Sequence, residues 1–141
     1  MLKNLFSYLP MNQEAGISVI RIIVGLFMVY HGWEIFDNDT MKGYITRDSF
    51  KNYSSPELMV YMGKLAELAS GLLLTFGFLT RLGCVILMLT MLYISFFVGD
   101  GKIWYEDQHP FLFVLLAAAF FFTGPGKWSV DYVIFIKNKN F

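Results

Sequence analysis

The sequence predicts an all-α protein, a four-transmembrane-helix bundle with short interfacial segments at both ends. Its composition is 56% hydrophobic and only 16% charged, whereas soluble domains carry about a quarter charged residues. The apolar residues fall into four blocks, at 15–36, 56–79, 80–98 and 107–123. A helix of about 20 residues crosses the hydrocarbon, where every backbone polar group must be satisfied internally. The 141 residues are therefore expected to form one membrane domain in contact with the lipid bilayer.

Charge and cysteine content exclude several classes of protein. The formal net charge is zero, so no basic field indicates a nucleic-acid partner. Cys84 is the single cysteine, which excludes an internal disulfide and any CxxC redox or metal pair. The first apolar block is too long for the h-region of a signal peptide and is expected to remain as a membrane anchor.

The connections between the blocks differ in kind. The segment Gly77–Arg81 predicts a tight turn, which makes the second and third helices an antiparallel hairpin. Residues 37–55 form a polar outer loop that is expected to be ordered over the membrane face. Asp107 is expected to cap the fourth helix ahead of Pro110, and the sequence Gly-Pro-Gly at 124–126 ends that helix.

The chain ends and the basic residues predict the orientation. Residues 2–9 have the apolar spacing of an interfacial amphipathic helix, and residues 130–136 are apolar but too short to cross. One side collects five bases beside helix ends, and the other has four, spread mainly over the outer loop. The positive-inside rule favours cytoplasmic N and C termini. The bases of the first side are Lys3, Arg81, Lys127, Lys137 and Lys139, and those of the second are Lys42, Arg47, Lys51 and Lys102.

Four ionisable residues lie inside the predicted spans, where charge is costly and each is a candidate for ligand binding or proton relay: Arg21, His31, Lys64 and Glu67. Glu67 shares a helix face with Gly63 and Gly71, and Arg21 shares one with Gly25 and Gly32, so these faces are expected to meet. Glu67 is expected to contact a basic group, with His31 or Lys64 favoured by side-chain direction. The alternative is that Arg21 and Glu67 form a purely structural polar contact.

A second group of candidates lies at the outer mouth: Glu34, Trp104, Asp107 and His109. His31 and His109 are expected to converge there. Axial haem ligation by these histidines lacks any further ligand motif, and the carboxylates lack diagnostic metal spacing, so no metal site is assigned. For Glu34 and Lys64 the simpler interpretation is that they extend to the interface.

Several of these motifs, taken in order, resemble the DoxX family. They are Arg21-Ile-Ile-Val-Gly25, Tyr30-His31-Gly32, Glu67 with Gly71, Gly77-Phe78-Leu79-Thr80-Arg81, and Gly124-Pro125-Gly126 with Asp131. The resemblance spans about residues 15–131 and implies a four-helix bundle in the bacterial inner membrane. Some members of that family are subunits of thiosulfate:quinone oxidoreductases or of complexes that handle thiol stress. The family often has a lysine shortly after the His-Gly pair, where this sequence has Glu34-Ile35-Phe36.

The resemblance favours a quinone-linked or thiol/sulfur-handling oxidoreductase subunit, with no intrinsic cofactor and a quinone as the candidate ligand. No flavin or haem motif is visible in the sequence, so a membrane or periplasmic protein partner is expected to supply the electrons. The alternative is a non-enzymatic scaffold or assembly subunit of a larger membrane complex. A homo-oligomer is one such assembly. A carrier would need a polar path or an inverted repeat, and neither is evident.

Overall fold

The computed structural model describes residues 12–51 and 53–137, and every element of regular structure within them is a helix. Four long helices are α1 (Gln13–Trp33), α3 (Pro56–Phe76), α4 (Thr80–Tyr93) and α5 (Gln108–Thr123). Two helices of eight residues, α2 (Asn38–Ile45) and α6 (Val130–Lys137), follow α1 and α5. The predicted four-helix membrane bundle is confirmed, and the segment predicted at residues 2–9 lies outside the described residues.

Three helical segments have the length and hydropathy to cross a membrane. They are α1 with its short 3-10 extension Glu34–Phe36, α3, and α4 with its π-helical continuation Ile94–Val98. The fourth, α5, has 16 residues and no charged residue, which gives it a length of about 24 Å. Several of its apolar side chains, including Leu112, Leu115 and Phe122, are exposed, as expected of a helix that contacts lipid on one face.

Helix α1 packs along α3, and α4 packs against both α3 and α5. Glycines allow the closest approach, between α1 and α3. A Cβ atom added to Gly25 would lie 2.9 Å from the carbonyl oxygen of Gly71, and one added to Gly71 would lie 2.9 Å from the carbonyl oxygen of Gly25. The expected contact between the two small-residue faces is therefore present.

The α3–α4 turn is tight and is held from outside. Helix α3 ends at Phe76, three residues before the predicted boundary, because Gly77 adopts a left-handed φ of 64° and caps it. Leu79 also has a positive φ, of 46°, which is costly for a residue with a side chain. The carboxylate of Asp131 accepts hydrogen bonds from the amides of Leu79 (2.9 Å) and Thr80 (2.8 Å). That carboxylate thus fixes the turn and satisfies the first amides of α4.

Two apolar clusters fill the interior. The larger joins all four long helices and comprises Val24, Met28, Leu74, Cys84, Leu87, Met91, Phe113, Val114, Ala117 and Phe120. The smaller lies beneath the outer loop and comprises Met41, Phe50 and Val60. Because Phe50 and Met41 are buried against α3, the polar loop is an ordered cover over one end of the bundle. We call that end, with residues 37–55 and 99–107, the loop side, and the opposite end, with residues 124–137, the termini side.

Candidate functional site

Arg21 lies at the termini side, away from the other ionisable residues of the spans. Its side chain is fully buried, and its guanidinium donates hydrogen bonds to four backbone carbonyl oxygens. Two belong to the last turn of α3, at Leu74 and Thr75, and two to the following loop, at Pro125 (2.8 Å) and Trp128 (2.6 Å). The alternative of a structural polar contact between Arg21 and Glu67 is therefore wrong, because the partners of Arg21 are backbone carbonyls. Arg21 leans toward the start of α1 and fastens the loop after α5 to the end of α3.

The loop side holds a buried ion-pair cluster centred on Lys64. Its Nζ atom lies 2.8 Å from Oε2 of Glu34, 3.0 Å from Oε2 of Glu67 and 3.3 Å from the carbonyl oxygen of His31. The side chains of Glu67, Lys64 and Glu34 are only 7%, 11% and 27% exposed. The prediction that Glu67 contacts a basic group is confirmed, with Lys64 as its partner. The expectation that Lys64 and Glu34 extend separately to the interface is wrong, because each satisfies the other's charge.

Tyr44, from α2, closes this cluster from the loop. Its hydroxyl donates a hydrogen bond of 2.8 Å to Oε2 of Glu34. The Nζ atom of Lys64 lies 4.6 Å from the centre of the Tyr44 ring, and the guanidinium carbon of Arg47 lies 4.4 Å from it. Burial, and next the hydrogen bond to Glu34, raises the pKa of Tyr44 above its usual range. The phenol therefore keeps its proton and acts as a donor.

The two histidines converge as expected at the loop side. The ring centres of His31 and His109 are 6.4 Å apart in an edge-to-face arrangement, and His109 also contacts Phe113 at 5.1 Å. Within residues 12–51 and 53–137, no three side chains of the metal-binding types are placed to hold an ion. The two rings form an aromatic contact between α1 and α5.

The rest of the predicted outer-mouth group does not assemble. Asp107 does not cap α5 with its side chain. Its carboxylate instead accepts hydrogen bonds from the amides of Asp100 (3.1 Å) and Lys102 (2.8 Å), which fold the preceding loop back on itself. Trp104 is 81% exposed on that loop. Glu34 belongs to the Lys64 cluster, and among the described residues no hydrogen bond joins it to Trp104 or Asp107.

A cleft of about 210 Å³ lies between α3 and α4 at the loop side. Near the turn the two helices are close, since a Cβ atom on Gly83 would lie 3.0 Å from Cβ of Leu73. At Gly63, further toward the loop side, a Cβ atom would meet nothing within 4 Å. The space between the helices is lined by Tyr44, Arg47, Phe50, Met59, Val60, Gly63, Lys64, Glu67, Thr90, Tyr93, Ile94 and Val98. We refer to it as the α3/α4 cleft.

The outer loop is fastened over this cleft by two hydroxyl contacts to α4. The hydroxyl of Ser49 donates to the carbonyl oxygen of Val98 at 2.8 Å, and the hydroxyls of Tyr53 and Tyr93 lie 2.6 Å apart. Val98 ends the π-helical segment Ile94–Val98, and Tyr93 directly precedes it; both residues line the cleft. Such turns occur frequently at functional sites. Sequence reasoning missed Tyr44, Arg47 and Tyr93, because the sequence does not show which loop side chains, or which face of α4, border the cleft.

The α3/α4 cleft combines apolar walls with a polar, ionisable floor. Glu67 lines it and uses Oε2 to bind Lys64, while its other carboxylate oxygen accepts no hydrogen bond from the described residues. Tyr93, which also lines the cleft, donates its hydroxyl hydrogen to the hydroxyl oxygen of Tyr53, so its own oxygen remains as an acceptor. The cleft can therefore hold a flat apolar molecule that carries hydroxyl or carbonyl oxygens.

Comparisons with known proteins agree with this architecture. The sequence model of the DoxX family matches residues 16–100. The chain is 27% identical over 131 residues to "Inner membrane protein YqjF" of Escherichia coli (strain K12), which covers 86% of this chain and 94% of that protein. It is 28% identical over 128 residues to "Putative oxidoreductase CatD" of Bacillus subtilis (strain 168), covering 90% and 92% respectively. No solved structure matches the chain.

Proposed function

Because this chain belongs to the DoxX family of multi-pass membrane proteins, we propose that it is a quinone-linked oxidoreductase subunit that holds a quinone head group in the α3/α4 cleft. The observation that carries this proposal is the placement of the Glu67 carboxylate at the floor of an apolar cleft inside a membrane-spanning bundle. A quinone resides in the bilayer and could enter between α3 and α4 where they leave open space at Gly63. The name given to CatD supports a redox role.

The chemistry of the cleft fits the proton side of such a reaction. Interconversion of a quinone and a quinol moves two electrons and two protons. Glu67 would exchange a proton with a ring oxygen through the carboxylate oxygen that Lys64 leaves unbound. Lys64 and Glu34 connect Glu67 to the less buried part of the cluster. The electrons would pass to or from a protein partner or a thiol or sulfur substrate.

A second candidate function is that of a scaffold or assembly subunit. The observation that favours it is that Lys64 has three ammonium hydrogens and three acceptors within the protein, so its ammonium group is satisfied without a ligand. On this alternative the cluster would position α1, α3 and the outer loop against each other, and any redox chemistry would belong to the partner alone.

Filling the cleft distinguishes the two candidates. In Gly63→Phe the new ring would occupy the open space and should abolish binding of a soluble ubiquinone or menaquinone analogue, while the melting temperature in detergent is retained. Gly16→Phe is the matched control, since Gly16 also has nothing within 4 Å of an added Cβ atom but lies at the start of α1. It should leave binding unchanged.

Binding is measured by equilibrium titration, and quinone-dependent turnover is measured on protein purified with and without its co-purifying partners. Equal quinone affinity in the wild type and Gly63→Phe would refute the cleft as the binding site. If the wild type neither binds quinone nor supports turnover with its partners, the quinone proposal is refuted and the scaffold function is favoured.

A further inference from the structure

Arg47 differs from Lys64, the other cation of the α3/α4 cleft, in having no acceptor among the described residues. Lys64 is satisfied by two carboxylates and a carbonyl, whereas the guanidinium of Arg47 makes no hydrogen bond or ion pair with the residues that the structure describes. It is nevertheless held in place, 4.4 Å from the centre of the Tyr44 ring. Arg47 is exposed while Lys64 and Glu67 are largely buried, so it lies at the mouth of the cleft.

The surrounding charges leave Arg47 available. The neighbouring carboxylate, that of Asp48, is paired with Lys51. The phenol of Tyr44 donates a hydrogen bond to Glu34 and presents only its ring face to Arg47. A guanidinium has five N–H donors in a planar fork, which suits two oxygens of an anion.

The polarity of the cleft therefore runs from carboxylate at its floor to free cation at its mouth. A ligand with a negative charge would be repelled by Glu67 if the charge lay deep, and attracted by Arg47 if the charge lay outward. Building on the proposed function, we infer that the cleft selects quinones that are anionic at their outer end, such as those with an acidic ring hydroxyl. Arg47 is the specificity-determining residue.

The test compares two quinones of nearly the same shape. The first is 2-hydroxy-1,4-naphthoquinone, which is an anion at neutral pH, and the second is its neutral 2-methoxy analogue. Both are titrated against the full chain in detergent at low ionic strength. The wild type should bind the anion about fivefold more tightly, as expected for one exposed ion pair. Added salt should reduce this preference because it screens exposed charges.

Substitution of Arg47 should remove the preference without removing binding. Arg47→Gln should bind the two quinones equally, and Arg47→Lys should retain part of the preference, because lysine keeps the charge but not the planar fork. Arg81→Gln is the matched control, since Arg81 is also an exposed arginine but lines a different cavity at the termini side. It should behave as the wild type.

The outcomes separate this inference from the proposal on which it rests. Equal affinities for the two probes in the wild type, or an anion preference that survives in Arg47→Gln, would overturn the role of Arg47 and leave the quinone site standing. Binding of neither probe by the wild type would overturn the quinone site and the inference together. An anion preference that is present in the wild type and in Arg81→Gln but lost in Arg47→Gln supports both the quinone site and the role of Arg47.

Discussion

The Lys64 cluster shows how a bundle in lipid accommodates ionised side chains. The ammonium group of Lys64 lies between the carboxylates of Glu34 and Glu67; Glu34 begins the 3-10 extension of α1, and Lys64 and Glu67 both lie on α3. Removing one partner of a buried ion pair is strongly destabilising when the other charge is left without compensation. Here each carboxylate can still compensate Lys64 when the other is lost. The cluster therefore tolerates single neutral substitutions better than a simple pair would.

Glu67→Gln should accordingly separate binding from folding. The amide keeps the shape, and Lys64 keeps Glu34, so we expect a loss of about 1–3 kcal/mol in the free energy of unfolding, the usual range for a hydrogen bond to a charged group. Quinone binding should fall much more, because the free carboxylate oxygen of the cleft is gone. Thermal melting in detergent and quinone titration measure the two effects.

Glu34→Gln is the matched control for that substitution. Glu34 binds the same ammonium group at 2.8 Å but does not line the cleft. Its loss should lower the melting temperature by a similar amount and leave quinone affinity close to that of the wild type. Full quinone affinity in Glu67→Gln would show that Glu67 is structural only.

Side-chain contacts were most predictable from the sequence where the partners lie on neighbouring turns of one helix, although the contact between His31 and His109 was also expected from their places in the spans. The Lys64–Glu67 contact follows from their spacing of three residues on one helix. The partners of Arg21 could not be foreseen, because two of its four carbonyls belong to a loop that returns over the end of the bundle after residue 123. Asp107 misled for a related reason. Its carboxylate satisfies amides on its N-terminal side rather than those of the helix it precedes.

At the scale of the elements, glycine positions distinguish helix contacts from open space. Gly71 and Gly63 lie on the same helix, two turns apart. An added Cβ atom would collide with the backbone of α1 at Gly71, with Val29 N and Gly25 O at 2.5 and 2.9 Å, and would meet nothing within 4 Å at Gly63. The sequence placed both on one small-residue stripe, and it could not show that the stripe faces α1 at one end and a cleft at the other.

Gly71→Leu should therefore force α1 and α3 apart. Backbone atoms of α1 cannot move aside as a flexible side chain could. The free energy of unfolding should therefore fall by about 3 kcal/mol or more, the upper end of the range for overpacking. Thermal melting in detergent measures it. Gly63→Leu is the matched control and should leave the melting temperature unchanged or raise it, because leucine favours helix more than glycine does. Equal melting of the two variants would contradict the close contact between α1 and α3.

The helix ends were more predictable than the irregular turns within helices. Gly77 and the sequence Gly-Pro-Gly at 124–126 end α3 and α5, because their backbone conformations suit glycine and a proline cannot continue a helix. The π-helical turn Ile94–Val98 has no comparable signature in the sequence. It depends on tertiary contacts, including the hydrogen bond from Ser49 to Val98, that only the folded outer loop supplies.

For the molecule as a whole, the two ends of the bundle have different roles. The termini side is locked by Arg21 and Asp131, which bind backbone groups of the loop after α5 and of the hairpin turn. The loop side contains the cleft, the ion-pair cluster and an ordered cover. A rigid end opposite an end with a ligand-sized space suits a bundle that admits a molecule from one leaflet. Which leaflet that is depends on the orientation of the chain in the membrane.

The basic residues favour cytoplasmic termini and an outward-facing cleft. The number of bases on the two sides is nearly equal, but their positions differ. Arg81 lies in the first turn of α4 and Lys127 follows closely after α5, whereas three of the four loop-side bases are spread over residues 37–55. Bases beside helix ends weigh most in setting orientation.

A membrane-impermeant maleimide should label Lys51→Cys in intact bacterial cells and label Lys127→Cys only after the membrane is broken. Both introduced cysteines occupy exposed positions. The native Cys84 is fully buried and should not react, so the wild type and Cys84→Ala should both remain unlabelled. The reverse pattern would place the cleft in the cytoplasmic leaflet, and a quinone would then exchange protons with the cytoplasm through Glu67 and Glu34 instead of with the outside.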